Sequence, residues 1–295
     1  MSNNNSIKGI LGETEQKLKS CGIEDASLEA SLLLEAFSSF NRLEQLLYPE
    51  HELNNKQVER IKAAVEERCQ RKPLSQILGE IYFYGRPFYV NENVLAPRPD
   101  TEILVEAVLK EIEKRYAQSR EKLIVLDSCT GSGCIGISIW LESAAKEIIS
   151  QLDLCDFSDK ALKVAYSNAV RHSLPEQNLR FFNCDLWPGG EKHYDVITCN
   201  PPYITRADIN RLMPEVALHE PQVALDGGRD GLDFYRRLAM EAPARLLTGG
   251  ILALEHAYDQ RQAIKKIFGT ASFNLQVELD DYGGNARVLI FEKAD

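Results

Sequence analysis

From residue 123 onward, short apolar runs rich in β-branched residues alternate with runs of helical periodicity, and this alternation is the strongest constraint on how the 295-residue chain folds. The β-like runs fall at 123–126, 152–155, 180–182, 196–199 and 251–255, separated by a Gly-rich turn and by helical stretches such as 159–172 and 232–247. A strand, a helix and a further strand in succession place the two strands side by side and parallel, with the helix against the sheet. The helix at 232–247 is expected to end at Gly249-Gly250, which feeds the strand 251–255. The final runs, 273–279 and 287–291, flank Asp280-Asp-Tyr-Gly-Gly-Asn285, which is too short for a crossover helix and so implies an antiparallel pair. An α/β fold follows, with a mostly parallel sheet carrying one reversed strand.

The first 73 residues have a different texture. Val58, Ile61, Val65 and Cys69 recur at the spacing of one buried helix face, and the stretch 7–69 predicts about four short helices. Gly22 follows the first helix, Asp25 is placed to cap the second, Asn41 with Glu44 makes a capping box, and Pro73 closes the last. Residues 74–97 then carry two aromatic-rich runs, Ile81-Tyr-Phe-Tyr84 and Pro87-Phe-Tyr-Val90, around Gly85-Arg86, which reads as a hairpin. A helix over 101–116, capped by Asp100 or Thr101, leads into the second domain. At roughly 150 residues per domain the length suits two domains. The boundaries drawn are a helical domain over 1–73, a hairpin linker over 74–97 and an α/β domain over 98–295.

Charge and cysteine usage narrow the function classes. With 34 Lys and Arg against 44 Asp and Glu, the net charge is −10, which argues against a basic nucleic-acid binder and leaves only a local patch for such a role. Seven cysteines, at 21, 69, 129, 134, 155, 184 and 199, form no Cys-x-x-Cys pair, so no metal site is expected. Their odd number and apolar neighbours suit reduced core thiols in a reducing compartment. The amino terminus lacks an apolar signal core and no apolar run reaches ~18 residues, so a cytoplasmic protein is expected.

Two segments carry chemistry. Val125-Leu-Asp-Ser-Cys-Thr-Gly-Ser-Gly-Cys-Ile-Gly136 sets a Gly-rich turn between strand and helix, where missing Cβ atoms let backbone N–H groups approach a ligand. Gly131, Gly133 and Gly136 satisfy the dinucleotide pattern Gly-x-Gly-x-x-Gly, and Asp156 lies 20 residues on at the next strand's end. Asp127, directly before the turn, would repel a pyrophosphate but serve a cationic ligand such as S-adenosylmethionine. Both nicotinamide dinucleotide and S-adenosylmethionine fit the turn, the second better; Asp156 also has a bland reading as part of a helix cap. Asn200-Pro-Pro-Tyr203 follows the strand ending at Cys199, at the carboxyl edge where open sheets bind ligands. Its prolines fix the backbone and remove donors, leaving the Asn200 carboxamide oxygen and the Pro201 carbonyl as acceptors for an NH2 group, with Tyr203 over the flat face. An amide or aromatic amine held this way points its nitrogen at an electrophilic carbon.

Taken with Pro73-Leu-Ser-Gln-Ile-Leu-Gly79, Ala96-Pro-Arg-Pro-Asp-Thr-Glu102, Glu220-Pro-Gln-Val-Ala-Leu225, Leu254-Glu-His256 and Asp281-Tyr-Gly-Gly-Asn-Ala-Arg-Val288, these segments give a chain that resembles the release-factor glutamine N5-methyltransferases of the PrmC/HemK type over nearly its full length. The resemblance implies a Rossmann-like class I methyltransferase sheet behind a helical substrate-recognition domain. It implies that Cys129, Thr130, Gly131, Ser132 and Gly133 cradle the methionine part of S-adenosyl-L-methionine, that Asp156 holds the ribose, and that Asp185 and Leu186 border the adenine. Asn200, Pro201, Pro202 and Tyr203 would hold the glutamine of the Gly-Gly-Gln loop of a bacterial-type release factor, Asn200 also bordering the cofactor. Two positions depart from the family pattern. Cys129 replaces a Gly and is expected to adopt a conformation open to a side chain; Leu186 replaces a Trp, with Trp187 one place later. The rival readings are an adenine N6-methyltransferase acting on DNA or RNA, which shares Asn-Pro-Pro-Tyr, and a silent cofactor-binding protein. The chain is expected to act as a monomer.

Overall fold

In a computed structural model, which describes residues 5–294, the alternating runs become a seven-stranded sheet of order β5-β4-β3-β6-β7-β9-β8. Residues 1–4, read above for an export signal, and residue 295 lie outside the described part. The strands are β3 (Leu123–Ser128), β4 (Ile149–Asp156), β5 (Leu179–Asn183), β6 (Tyr194–Cys199), β7 (Leu246–Glu255), β8 (Phe273–Asp280) and β9 (Ala286–Lys293); β1 (Glu80–Phe83) and β2 (Arg86–Tyr89) form the separate hairpin. Parallel pairing runs from β5 to β7, and β9 alone is reversed, pairing antiparallel with both β7 and β8. The order reverses at β3, with β4 on one side and β6 on the other, which opens a crevice at the carboxyl ends of these two strands.

Apolar side chains fill both faces. Helices Glu102–Ser119 and Cys134–Ser143 bury Leu104, Val108, Ile112, Ile135 and Ile139 against Val125, Leu152 and Ile290. On the opposite face Asp233–Glu241 and Arg261–Phe268 bury Tyr235, Leu238, Ile264 and Phe268 against Leu126, Ile197 and Leu252. The 232–247 stretch splits differently from expectation. Its helix ends at Glu241, a 3₁₀ turn covers Ala242–Ala244, and β7 starts at Leu246, so Gly249 and Gly250 lie inside the strand at a register irregularity rather than before it.

The chain divides into two compact units. Of the described residues, the larger holds 80–212 and 220–294, including the hairpin; the smaller holds 5–79 together with 213–219. In the smaller unit, helices Ile7–Ser20, Ala26–Ser38, Arg42–Leu47 and Asn55–Cys69 surround Ile10, Leu18, Leu33, Leu34 and Ile61, and Leu74–Leu78 adds a short turn. The Asn41 and Glu44 capping box forms, and Asn54 with Gln57 makes a second. Asp25 makes no side-chain cap bond, and Pro73 begins the turn at Leu74 instead of ending a helix. The excursion 213–219 supplies the helix Pro214–His219, whose Glu215 meets Arg68 at 3.0 Å and Arg71 at 2.7 Å. Its sequence alone shows no sign of belonging there, because the tie is an ion pair spanning nearly 150 residues.

The expectation of thiols throughout fails at one pair: Cys21 and Cys69 are joined by a disulfide with Cα atoms 5.3 Å apart, while the other five cysteines are free. Their positions, one after the first helix and one at the end of the fourth, are brought together because these two helices lie side by side and run the same way, as the Glu13–Lys62 and Lys17–Glu66 ion pairs show, and spacing does not reveal that. Among the described residues no helix is long and apolar enough to cross a membrane, and no cluster of His, Cys, Asp and Glu could hold a metal ion.

Candidate active site

The crevice at the carboxyl ends of β3, β4 and β6 is a cavity of about 290 Å³. One wall is the turn after β3, where Cys129, Thr130, Gly131 and Ser132 face the space; Gly133 does not. The turn is built around Asp127. This carboxylate is fully buried and accepts from the Thr130 hydroxyl at 2.5 Å, the Thr198 hydroxyl at 2.7 Å and the Gly136 N–H at 3.2 Å. Burial raises its pKa to about 6 against the pull of those three donors. It does not reach the cavity, so it organises the turn from beneath instead of touching a cationic ligand as its sequence position suggested.

Cys129 sits at φ 55°, in the left-handed region that favours glycine, and not in a conformation open to a side chain. Its thiol lies against Cys199 and, with burial adding to that contact, its pKa is pushed well up. Gly131 has φ 54° and open space where a Cβ would stand. Its N–H donates to Asp156 Oδ2 at 2.9 Å, while Ser158 N–H donates to Oδ1 at 2.9 Å. Burial raises the Asp156 pKa and the two donors oppose the rise. The Ser158 hydroxyl caps the helix Asp159–Arg171, so Asp156 serves the turn and lines the cavity while its neighbour serves the helix.

The opposite rim comes from the segment after β5. Asp185 lines the cavity and pairs with Arg237 at 3.0 and 3.1 Å. Leu186, at φ 66°, also lines it, its carbonyl accepting from Ser128 Oγ at 2.8 Å and Cys155 Sγ at 3.1 Å. Trp187 turns away, donating to Glu241 at 2.6 Å. From β6, Asn200 and Pro202 face the cavity; Pro201 and Tyr203 do not line it, and the Tyr203 hydroxyl points toward Glu255 at 3.4 Å.

Other contributors carried no assigned role in a binding site from sequence. Arg98 and the strap Pro221, Val223 and Ala224 line the cavity, and Arg98 holds the strap by donating to both oxygens of buried Glu220 at 2.8 Å. Thr101 lines it too and makes no cap bond at the helix that follows. Buried Asn168 bonds the carbonyls of Tyr89 and Ser132, each at 2.9 Å, and so ties the hairpin to the glycine turn. Arg98 and Glu220 do fall in two of the quoted segments, Ala96–Glu102 and Glu220–Leu225, but 122 residues of separation hide their pairing.

The site therefore joins a glycine turn after the first sheet strand, an acid at the end of the second and an Asn-Pro-Pro-Tyr loop after the fourth, on a sheet with one reversed strand: this is the class I methyltransferase architecture. Residues 10–79 match the PrmC N-terminal domain and residues 99–229 the methyltransferase small domain. The release factor glutamine methyltransferase of Agrobacterium fabrum is 34% identical over 98% of both chains, and that of Thermodesulfovibrio yellowstonii is 38% identical over 84% of this chain and 86% of the other. The chain belongs to the release factor glutamine methyltransferase family. A methyltransferase structure from Pyrococcus furiosus shares the fold at 20% identity, with a TM-score of 0.50 over 72% of this chain and 91% of that one.

Proposed function

We propose that this protein transfers a methyl group to the side-chain amide nitrogen, N5, of the glutamine in the Gly-Gly-Gln motif of bacterial-type peptide chain release factors, working as a monomer in the cytoplasm. The observation that carries the reading is the placement of Asn200 and Pro202 on the wall of the same cavity as Gly131 and Asp156. S-adenosyl-L-methionine, when bound, supplies an electrophilic methyl on a sulfonium and leaves as S-adenosyl-L-homocysteine. The residues suit it: the open face of Gly131 admits close approach, Asp156 offers a carboxylate held by two N–H donors, and Leu186, Ile135 and Phe157 give an apolar wall near Asp185. Cys129, Thr130, Ser132 and Gly133 complete the turn.

The chain's own contribution is orientation. A glutamine amide has a delocalised lone pair, so its two N–H bonds must be held to aim the nitrogen. Asn200 Oδ1, on the cavity wall, accepts one, the Pro201 carbonyl, set back from that wall, accepts the other once the glutamine has entered, and Tyr203 stiffens the loop. No strong base is required, because the methylated amide releases its proton to water. The test incubates the purified protein with a release factor and methyl-labelled cofactor, then maps the label by mass spectrometry. Label on the Gly-Gly-Gln glutamine is expected. No label there at saturating concentrations, or label on adenine in a parallel incubation with DNA or RNA, overturns the reading.

A further inference from the structure

Glu255 ends β7 one residue past Leu254, whose register partner on β6 is Cys199. Asn200 and Glu255 are therefore neighbours at the carboxyl ends of adjacent parallel strands, about 4.8 Å apart. Glu255 is 1% exposed and does not line the cavity. Its Oε1 accepts from the Tyr203 hydroxyl at 3.4 Å, and its Oε2 is buried with no hydrogen-bond partner among the described residues. Yet the side chains of Thr101 and Asn200 lie close enough for their dipoles to favour the charged carboxylate, and Arg287 adds its positive charge; burial works against all three. A buried carboxylate oxygen left open beside a carboxamide asks for a donor.

Asn200 has one acceptor and two donors on the same flat group, so the group works as an acceptor toward an amide N–H only if its NH2 end is turned away. Two prolines follow it and supply no donor that would select the orientation. We propose that Glu255 is a positioning residue: its Oε2 receives the Asn200 Nδ2–H when the acceptor amide enters, which fixes Oδ1 toward the reacting nitrogen. Thr101 joins the helix Glu102–Ser119 to the same carboxylate, so that a residue of the Ala96–Glu102 segment braces the loop from behind. The proposal rests on the role of Asn200 given above.

The test uses the full chain with a release factor as acceptor and follows kcat, KM and cofactor affinity, with thermal unfolding as a check on the fold. Glu255→Ala should lower kcat about tenfold or more with cofactor affinity within about threefold. Glu255→Gln keeps an acceptor oxygen and the volume, and should recover most of that loss. In an Asn200→Ala background, Glu255→Ala should add less than about a twofold further fall, because the two act as one unit. An unimpaired Glu255→Ala, or an equal fall in both backgrounds, overturns the positioning role. An unimpaired Asn200→Ala instead overturns the role of Asn200, which keeps the two failures apart.

Discussion

Thr198 is the register neighbour of Asp127 across β3 and β6, and its hydroxyl donates to Asp127 Oδ1 at 2.7 Å, so the strand that carries the Asn-Pro-Pro-Tyr loop is bonded to the carboxylate that shapes the glycine turn. That carboxylate carries a pH signature. Burial raises its pKa from 3.8 to about 6. A folded-state pKa above the unfolded one gives stability that is fully present below about pH 4 and lost as the pH rises through 6. Asp127→Asn removes the titration, so the stability of the native chain relative to the variant should fall by about 2 kcal/mol between about pH 4.5 and 7.5. Urea unfolding of both proteins across that range checks it; a constant difference would show that Asp127 is not destabilised by its burial.

Asn200→Ala should reduce kcat by about a hundredfold, since it removes an acceptor aimed at the reacting nitrogen, while cofactor affinity stays within severalfold because the turn and Asp156 are untouched. Single-turnover methylation with calorimetry of cofactor binding separates the two. A fully active variant would show that the loop holds its acceptor by backbone alone.

The sheet was legible because its signal is local. Apolar runs of period and length suited to strands, punctuated by helices, give the parallel core, and the six residues from Asp280 to Asn285 force the one reversal. The turn at Gly131, the acid at Asp156 and the loop at Asn200 were legible for the same reason, each being a short pattern at a strand's end. What stayed hidden depends on three-dimensional neighbours. Cys21 meets Cys69, Arg98 meets Glu220 and Glu215 meets Arg68 across long separations, and no periodicity encodes a pairing. Cys129 was misread because sequence argued that a side chain avoids the left-handed region; the turn's bonds, including Thr130 N–H to the Cys155 carbonyl at 3.0 Å, impose that conformation regardless.

Arg98→Ala should loosen the strap over the cavity. Burial raises the Glu220 pKa, and Arg98 is the charge that pulls it back. Without that partner the buried carboxylate loses a charge-assisted bond, and the strap should swing from its place at a cost of about 1–2 kcal/mol, discounted because Arg98 is itself 41% exposed. Cofactor affinity should drop about tenfold, and Glu220→Gln in the same background should restore part of it by removing the stranded charge. Calorimetry on the three proteins decides; unchanged affinity in Arg98→Ala would show that the strap stays put without the pair.

The two glycines of the turn should fail in different ways when each is changed to alanine. At Gly133 a Cβ would stand 2.8 Å from Ile137 Cδ1 and 3.2 Å from Ala165 Cβ, at φ 80°. Strained backbone and overpacking together should cost about 2–4 kcal/mol, because the helix starting at Cys134 must shift against Asp159–Arg171. Gly131, at φ 54°, has open space at the same point and faces the cavity. There the backbone strain alone should cost about 1 kcal/mol, and the methyl should instead weaken cofactor binding by intruding where the ligand must approach. Thermal unfolding with and without cofactor separates the cases: Gly133→Ala should melt lower in both, whereas Gly131→Ala should lose mainly the cofactor-induced rise. The reverse ordering would mean that the packing glycine and the approach glycine have been exchanged.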